Sequence, residues 1–254
     1  MSVFVCLPCY NEAQNLPPLM REFAALIRRL DEPVRLIAVD DGSRDGTRRT
    51  LEDLSRSLPL NVVVHEQNRG LGPAIMSGFA AALALAKDDD AIVCLDADNT
   101  HDPKYIPEML ARLRRGADVV IASRFQPASA EVGVPPFRRL LSRGARWVFR
   151  VAMGIPGVRD YTCGYRAYRA GLLRQAMEVF EGRLIERRGF ACTDEILVKL
   201  SCLTDRIEEI AFVLRYDKKR GASSLPLLET ILATIKLVRL GRRLRKSYRS
   251  KRLT

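Results

Sequence analysis

Two aspartates, Asp96 and Asp98, stand two apart at the end of the apolar run AIVCL. Such a D-x-D can hold a divalent cation with one carboxylate and orient a ribose with the other. Mg²⁺ and Mn²⁺ take oxygen ligands of this kind and commonly share them with substrate phosphates. Asn99, Asp102 and Pro103 are turn formers, so taken alone the motif also reads as a capped turn. Two more apolar runs end in the same way: the first leads into Tyr10, Asn11 and Glu12, and RLIAV leads into Asp40 and Asp41. Acids delivered to the ends of three apolar strands are not a solubility pattern, because solvated acids would be scattered over helix faces. At the second end Asp41 is placed to accept from a base or a ribose.

The neighbouring segments narrow the chemistry. In DDGSRDGT, Gly42 and Gly46 permit a tight strand-to-helix turn, and Asp45 and Thr47 read as structural caps. EQNRGLGPAIMSGF places Gly70 and Gly72 before a helix, where backbone amides can cradle phosphate. It lacks both the third glycine of a dinucleotide fingerprint and the lysine of a P-loop, which excludes those two readings. Close packing of helix on sheet and ligand contact both remain open for these glycines. His65 and His101 are the only histidines, too few and too isolated to predict a Ser-His-Asp triad or a zinc site. Cys6 and Cys9 form a lone C-x-x-C with Pro8 between them, and the six cysteines read as reduced core residues of a cytoplasmic protein.

The elements that must position these residues follow from periodicity. Residues 2–7, 35–39, 60–65, 91–95 and 118–122 are short apolar runs that read as buried strands, the first stopped by Pro8. Between them 13–30, 47–56, 72–86 and 104–115 read as helices, the first through Leu16, Leu19, Phe23, Leu26, Ile27 and Leu30. This alternation predicts an α/β fold, a mostly parallel sheet with helices on both faces, with its ligand at the carboxyl ends of the strands.

Past residue 125 the alternation stops. Residues 125–136 read as a loop and 138–151 as an amphipathic helix. In it Arg139, Arg143, Arg146 and Arg150 share one face, while Leu140, Leu141, Ala145, Trp147, Val148 and Val151 cover most of the rest. Four arginines without an acid suit an anionic membrane or an acceptor phosphate better than a solvated face, which mixes signs. Helices at 170–179 and 193–203, a strand at 207–216 and a basic loop at 217–224 follow.

The 254 residues carry a net charge of +12, unevenly placed. Residues 236–254 hold nine basic residues and no acid, and the rest carries 33 basic against 30 acidic, a net +3. The preceding apolar run, 225–238, is too short to span a bilayer. With the basic tail it reads as a C-terminal amphipathic helix anchoring the protein peripherally on the cytoplasmic face of a membrane. No signal peptide is expected from MSVFVCLPCYNE. A non-catalytic basic binder of RNA or membrane accounts for the tail but not for the acidic strand ends, which would repel a nucleic acid, so no nucleic-acid partner is expected.

LPCYNEAQNL, VDDGSRDGT, NRGLG, DADNTHDP, ASRF, FRRLLSRGA, RDYTCGYRAYR and DKKRGASS occur in this order. On these motifs the chain resembles the dolichyl-phosphate (polyprenyl-phosphate) mannosyltransferases of the inverting family-2 glycosyltransferases, over about residues 3–225. The resemblance implies a GT-A fold over 1–225, with a nucleotide half to about 125, an acceptor half from about 126, and the helix and tail at 226–254. It implies transfer of a sugar, mannose from GDP-mannose first of all, to a polyprenyl or dolichyl phosphate with Mg²⁺ or Mn²⁺. Pro8, Tyr10, Glu12, Val39 and Asp41 would surround the nucleoside, and Asp96 and Ala97 would contact the donor. Asp98 would hold the metal, with Thr100 a weaker second ligand. Arg124 would lie near donor and acceptor phosphates, and Arg138, Ser142 and Arg143 would face the lipid phosphate. Asp160, Thr162 and Arg166 match a D-x-T-x-x-x-R stretch, and Glu195 an acid on the next helix. One departure stands out. Relatives carry an arginine in the late loop and a lysine after G-x-S, where this chain has Lys218 and Ser224. Lys218 is then the expected donor-side cation, and Lys219 or Arg220 is left to supply the missing charge.

An acceptor phosphate is already anionic near neutral pH, so its attack needs positioning and charge stabilisation rather than a histidine base. UDP-glucose, UDP-N-acetylglucosamine or UDP-aminoarabinose donors and a non-lipid acceptor stay open as alternatives, and a membrane partner protein or homo-oligomer is compatible with the pattern. A sugar-phosphate nucleotidyltransferase would need a Gly-rich N-terminal loop with a catalytic Arg or Lys, where this chain has PCYNE.

Overall fold

Strand β1 (Val3–Cys9) is buried along almost its whole length and lies between β2 (Val34–Asp41) and β4 (Ala91–Cys94), parallel to both. It runs through Pro8 rather than stopping there. Strand residues point their amides alternately to either side, and Cys6 faces β4, its carbonyl accepting from Leu95 N. Pro8 therefore faces β4 as well, beyond the point where β4 has ended, so its missing N–H breaks no ladder bond.

The computed structural model describes residues 1–187, 189 and 191–220, without the side chains of 138, 141, 145 and 152. Seven strands form one sheet in the order β3-β2-β1-β4-β7-β5-β8. These include β3 (Leu60–His65), β5 (Val119–Ser123), β7 (Arg166–Arg169) and β8 (Ile207–Ala211). All are parallel except β7, which is antiparallel to both its neighbours. The expected strand at 207–216 divides into β8 and β9 (Val213–Arg215), and β9 pairs with a short β6 (Ala130–Val132) inside the expected loop.

Helices α1 (Leu16–Ile27) and α2 (Thr47–Leu54) pack together along β1-α1-β2-α2-β3. Two prolines in the first turn set the start of α1 at Leu16, three residues later than the apolar spacing suggested. The return from β3 across β2 and β1 to β4 reverses direction, and right-handed crossover carries α3 (Leu71–Leu83) to the opposite face. There its small residues let it lie close: a Cβ on Gly78 would be 3.3 Å from that of Cys6. Helices α4 (Ile106–Arg114), α5 (Pro136–Met153), α6 (Ala170–Val179) and α7 (Ala191–Leu200) complete the described chain. All six cysteines are buried thiols outside any disulfide, as expected of core residues.

Gly72 opens α3 beneath the segment leading to α7. A Cβ there would stand 1.9 Å from the Arg187 carbonyl oxygen and 2.9 Å from Ile185 Cγ2. Backbone cannot yield as a flexible side chain does. Gly72→Ala should therefore destabilise by about 2–3 kcal/mol, the upper end for overpacking. For a chain of this size that is a fall of roughly 5–10 °C in melting temperature, read by thermal unfolding. The C-terminal helix and tail at 226–254, and Ser224, lie outside the described residues.

Candidate active site

The strand order reverses at β1, which has β2 on one side and β4 on the other, so the loops leaving β1 and β4 flank a topological switch point. Glu12 leaves β1, and Asp96 and Asp98 leave β4. Both loops turn on an asparagine with left-handed backbone, Asn11 at φ 58° and Asn99 at φ 66°, a conformation Asn tolerates better than most residues. The β1 loop is fastened to the β2 loop. Asn11 N donates to Ser43 Oγ, Arg44 N to Asn11 Oδ1, Glu12 N to Thr47 Oγ1 and Ala13 N to Asp45 Oδ2. Asp45 and Thr47 are thus structural, as read from the sequence, although they brace a neighbouring loop as much as a helix end.

Asp98 is 8 % exposed and fully engaged. Its Oδ1 accepts from Thr100 N at 3.1 Å and Thr100 Oγ1 at 2.6 Å, and its Oδ2 meets Lys219 Nζ at 2.6 Å. The Thr100 hydroxyl thus aims Asp98. Asp96 keeps more of its carboxylate open to solvent, and its N–H donates to His101 Nδ1, whose ring stacks on Tyr165. Next to Lys218, Lys219 is the lysine that reaches Asp98, and it is one of the two residues the sequence left to supply charge here. Pro8 and Val39 are register partners at the strand ends, Ala97 is buried, and Tyr10 is 44 % exposed at the rim.

Asp41 is tied into the turn that follows β3. Oδ1 contacts His65 Nδ1 at 2.7 Å and accepts from Arg69 N at 2.9 Å, while Oδ2 accepts from Gly70 N at 2.8 Å. His65 Nε2 lies 2.9 Å from Ser77 Oγ. This carboxylate braces the turn before α3. Aspartate, histidine and serine thus come together where the spacing predicted no such cluster, and the pattern of sequence carried no sign of it.

On the far side of the crevice Arg124 follows β5. Its Nε and Nη2 fork onto Asp160 at 2.8 and 2.7 Å, and Nη2 also donates to Thr162 Oγ1 at 2.5 Å. The D-x-T motif is therefore the holder of Arg124. Burial alone would lower the guanidinium's affinity for its proton, but the Asp160 charge outweighs burial and raises it. Arg166, read as part of the same motif, is wholly buried, with Nη1 and Nη2 donating to the carbonyls of Thr193 and Tyr161. Glu195 accepts from Glu186 N and Arg187 N and pairs with Lys199 at 2.8 Å, so it anchors the segment over Gly72.

Helix α5 shows much of its apolar surface to solvent. Phe137, Leu140, Trp147 and Val151 are between 61 and 69 % exposed. Arg146 instead lies over the Phe125 ring, 4.6 Å from its centroid, with the Arg124 guanidinium 5.5 Å from the same centroid. Arg139 donates to the Glu131 carbonyl, Arg143 and Arg150 are exposed, and Ser142 Oγ is buried without a partner among the described residues. Arg138 falls in α5, with its side chain outside the description.

The family model "Glycosyl transferase family 2" matches residues 4–176. The chain belongs to glycosyl transferase family 2. It is 31% identical over 226 residues to a dolichol-phosphate mannosyltransferase of Pyrococcus furiosus, an alignment covering 89% of this chain and 59% of that protein. It is 32% identical to an undecaprenyl-phosphate mannosyltransferase of Micrococcus luteus, covering 89% and 88% of the two chains. The chain thus spans less than two thirds of the first relative and most of the second. In fold it is similar to crystalline glucosyl-3-phosphoglycerate synthase of Mycobacterium tuberculosis, solved with Mn²⁺, UDP and glucosyl-3-phosphoglycerate. The TM-score is 0.64 at 21% identity, over 93% of this chain and 77% of that one. The GT-A architecture expected from the motifs is therefore the architecture found.

Among the described residues no cluster of three His, Cys, Asp or Glu side chains could enclose a metal unaided. One buried carboxylate with a second beside it suits Mg²⁺ or Mn²⁺, which take few protein oxygens and share them with phosphates. That an ammonium already sits on Asp98 marks the spot as attractive to cations. Burial would raise the Asp98 pKa, but the Lys219 charge and then His101 outweigh it and hold the carboxyl low.

Two other carboxyls go the opposite way. Burial pushes Glu12 and Asp194 up to about 7, opposed by the Asn15 hydrogen bond at Glu12 and by the Arg166 charge at Asp194. Asp194, which sequence reading passed over, is 4 % exposed, in the field of Arg166, Asp160 and Arg124. Unfolded, the two ionise at 4.5 and 3.8. Between those values and about 7 the folded state holds protons that the unfolded state has released, so stability falls as pH rises through that window. Thermal unfolding should give a higher melting temperature near pH 5.5 than near pH 8. Asp194→Asn should flatten that slope and stabilise the protein chiefly at the alkaline end.

Proposed function

We propose that the chain is an inverting transferase that moves a sugar, mannose from GDP-mannose in the first instance, onto the phosphate of a polyprenyl lipid at a membrane surface. One observation carries the choice of a lipid acceptor. Helix α5 has arginine as its only charged residue type, shows Phe137, Leu140, Trp147 and Val151 to solvent, and touches Arg124 through Phe125. An apolar face flanked by cations suits a lipid headgroup layer, with the acceptor phosphate presented beside the acidic crevice. The two mannosyltransferase relatives support the reading.

The residues divide the work by charge. Glu12, Tyr10, Asp96 and Ala97 line the donor side with Pro8 and Val39 beneath, and Asp98 is the metal ligand. A divalent cation there would offset charge on the departing nucleoside diphosphate. Arg124, fixed by Asp160, and the α5 residues Arg138, Ser142 and Arg143 hold the attacking phosphate, which needs no base because it is already ionised. In-line displacement from the opposite side inverts the anomeric carbon.

The test is incubation of the full chain with Mn²⁺, vesicles bearing polyprenyl phosphate and, in separate tubes, radiolabelled GDP-mannose and UDP-hexoses. Label extracted into the lipid phase supports the reading, and the productive tube names the donor. Label passing only to water-soluble acceptors would overturn the lipid assignment.

A further inference from the structure

Lys219 is placed in the crevice by a braced loop, not by chance of a long side chain. Upstream, Arg215 N donates to Thr100 O at 3.1 Å, tying the strand before the loop to the Asp98 turn. Arg215 then forks onto Asp217 at 2.8 and 2.7 Å. Downstream, the buried Asn15 clasps the Arg220 backbone at both ends. Its Oδ1 accepts from Arg220 N at 3.1 Å and its Nδ2 donates to Arg220 O at 3.0 Å. The same Nδ2 donates to Glu12 Oε2 at 2.6 Å. The loop is thus pinned to the β4 turn on one side and to the β1 loop on the other, and Lys219 bridges the gap between them.

The oxygen it takes matters. Asp98 Oδ1 already accepts two hydrogen bonds from Thr100, so Oδ2 is the oxygen left for a cation, and Lys219 Nζ occupies it at 2.6 Å. A divalent ion drawing on Asp98 must therefore displace this ammonium. The field around Lys219 otherwise comes from Asp96 and Glu12, both acids of the same crevice. Displaced with nothing anionic added, the ammonium loses its close partner. Displaced as a nucleoside diphosphate enters, it gains a better one.

We infer that Lys219 is a built-in counter-cation that makes metal uptake conditional on the donor: it holds Asp98 until a metal and a nucleoside diphosphate arrive together, and then turns to the diphosphate. This deepens the proposed function and rests on it. It also assigns a task to Lys219, the neighbour of the Lys218 at which this chain departs from the late-loop pattern of its family. Metal and nucleotide become coupled ligands, each raising the affinity for the other by the same factor.

Removing the charge should move two affinities in opposite directions, which a merely structural residue would not do. With the full chain, free Mn²⁺ is followed by electron paramagnetic resonance without nucleotide, and GDP and UDP affinities are read by calorimetry at saturating Mn²⁺. Lys219→Met should bind Mn²⁺ alone about tenfold more tightly than the parent, the scale of one charge-assisted hydrogen bond, and bind the nucleoside diphosphate about tenfold more weakly. Lys219→Arg, which keeps the cation, should stay near the parent in both, and circular dichroism checks that each variant is folded. Unchanged or weaker Mn²⁺ binding by folded Lys219→Met, in a parent that binds Mn²⁺ and nucleotide, overturns the counter-cation role alone. A parent that binds neither overturns this inference together with the donor-site reading.

Discussion

Asp98→Ala is expected to lower sugar transfer by about three orders of magnitude while leaving the melting temperature within a few degrees of the parent. Both halves follow from the surroundings of the carboxylate. Its loss strands Thr100 and Lys219. Thr100 loses the acceptor of both its N–H and its hydroxyl, and the Lys219 ammonium keeps Asp96 and Glu12 in its field. The cost in stability is then about 1–2 kcal/mol, that of donors left unmet at a site solvent partly reaches. Catalysis loses far more, since a cation and its carboxylate stabilise charge developing on the leaving group by several kcal/mol, and about 1.4 kcal/mol is tenfold in rate. Thr100→Val is the graded control. It keeps Asp98 but removes the hydroxyl that aims it, and should cost about tenfold. Transfer of radiolabel to polyprenyl phosphate, with melting curves on the same preparations, decides the matter. An Asp98→Ala enzyme transferring at near-normal rate with the metal present would remove Asp98 from the chemistry.

What was readable in advance depended on how local the determinant is. Strand β3 lies where its apolar run predicted, and the acids at the ends of β1 and β4 do meet, because β-α alternation and right-handed crossover leave few ways to arrange such a sheet. Strand β7 escaped notice because RAYR is short and its arginine reads as a ligand contact. Only the fold reveals that Arg166 is fully buried, its charge met by backbone carbonyls. Pairings across long stretches of chain were equally hidden: Asp98 with Lys219, Asp41 with His65, and Arg124 with Asp160. Helical periodicity found both faces of α5, but amphipathicity does not say which face the protein covers. Phe137, Leu140, Trp147 and Val151 are exposed and Phe149 is buried, while Arg146 lies against Phe125.

Asp160→Asn should be the most destabilising single change at the site, and it should be worse for stability than removing its partner. Asp160 is wholly buried and accepts from Arg124 N, Nε and Nη2 and from Thr162 N and Cys163 N. Burial would raise its pKa, but the Arg124 charge outweighs that and holds the carboxylate ionised. An amide in its place offers one acceptor oxygen and an unwanted donor, and leaves the Arg124 guanidinium buried and unpaired. Breaking a buried pair in this way costs about 3–5 kcal/mol. For a domain of this size that lowers the melting temperature by roughly 6–20 °C. Arg124→Met is gentler on the fold, because the carboxylate left behind still accepts from three backbone amides, and its cost should be about 1–2 kcal/mol, nearer that of an ordinary lost hydrogen bond. The order of activities, per folded molecule, then separates scaffold from chemistry. If Arg124 holds the acceptor phosphate, folded Arg124→Met loses transfer by about a hundredfold or more, as for a lost charge-assisted donor in a water-poor site. If Arg124 only knits Asp160 to β5, the same variant transfers normally once folded, and the phosphate must be held by α5 alone.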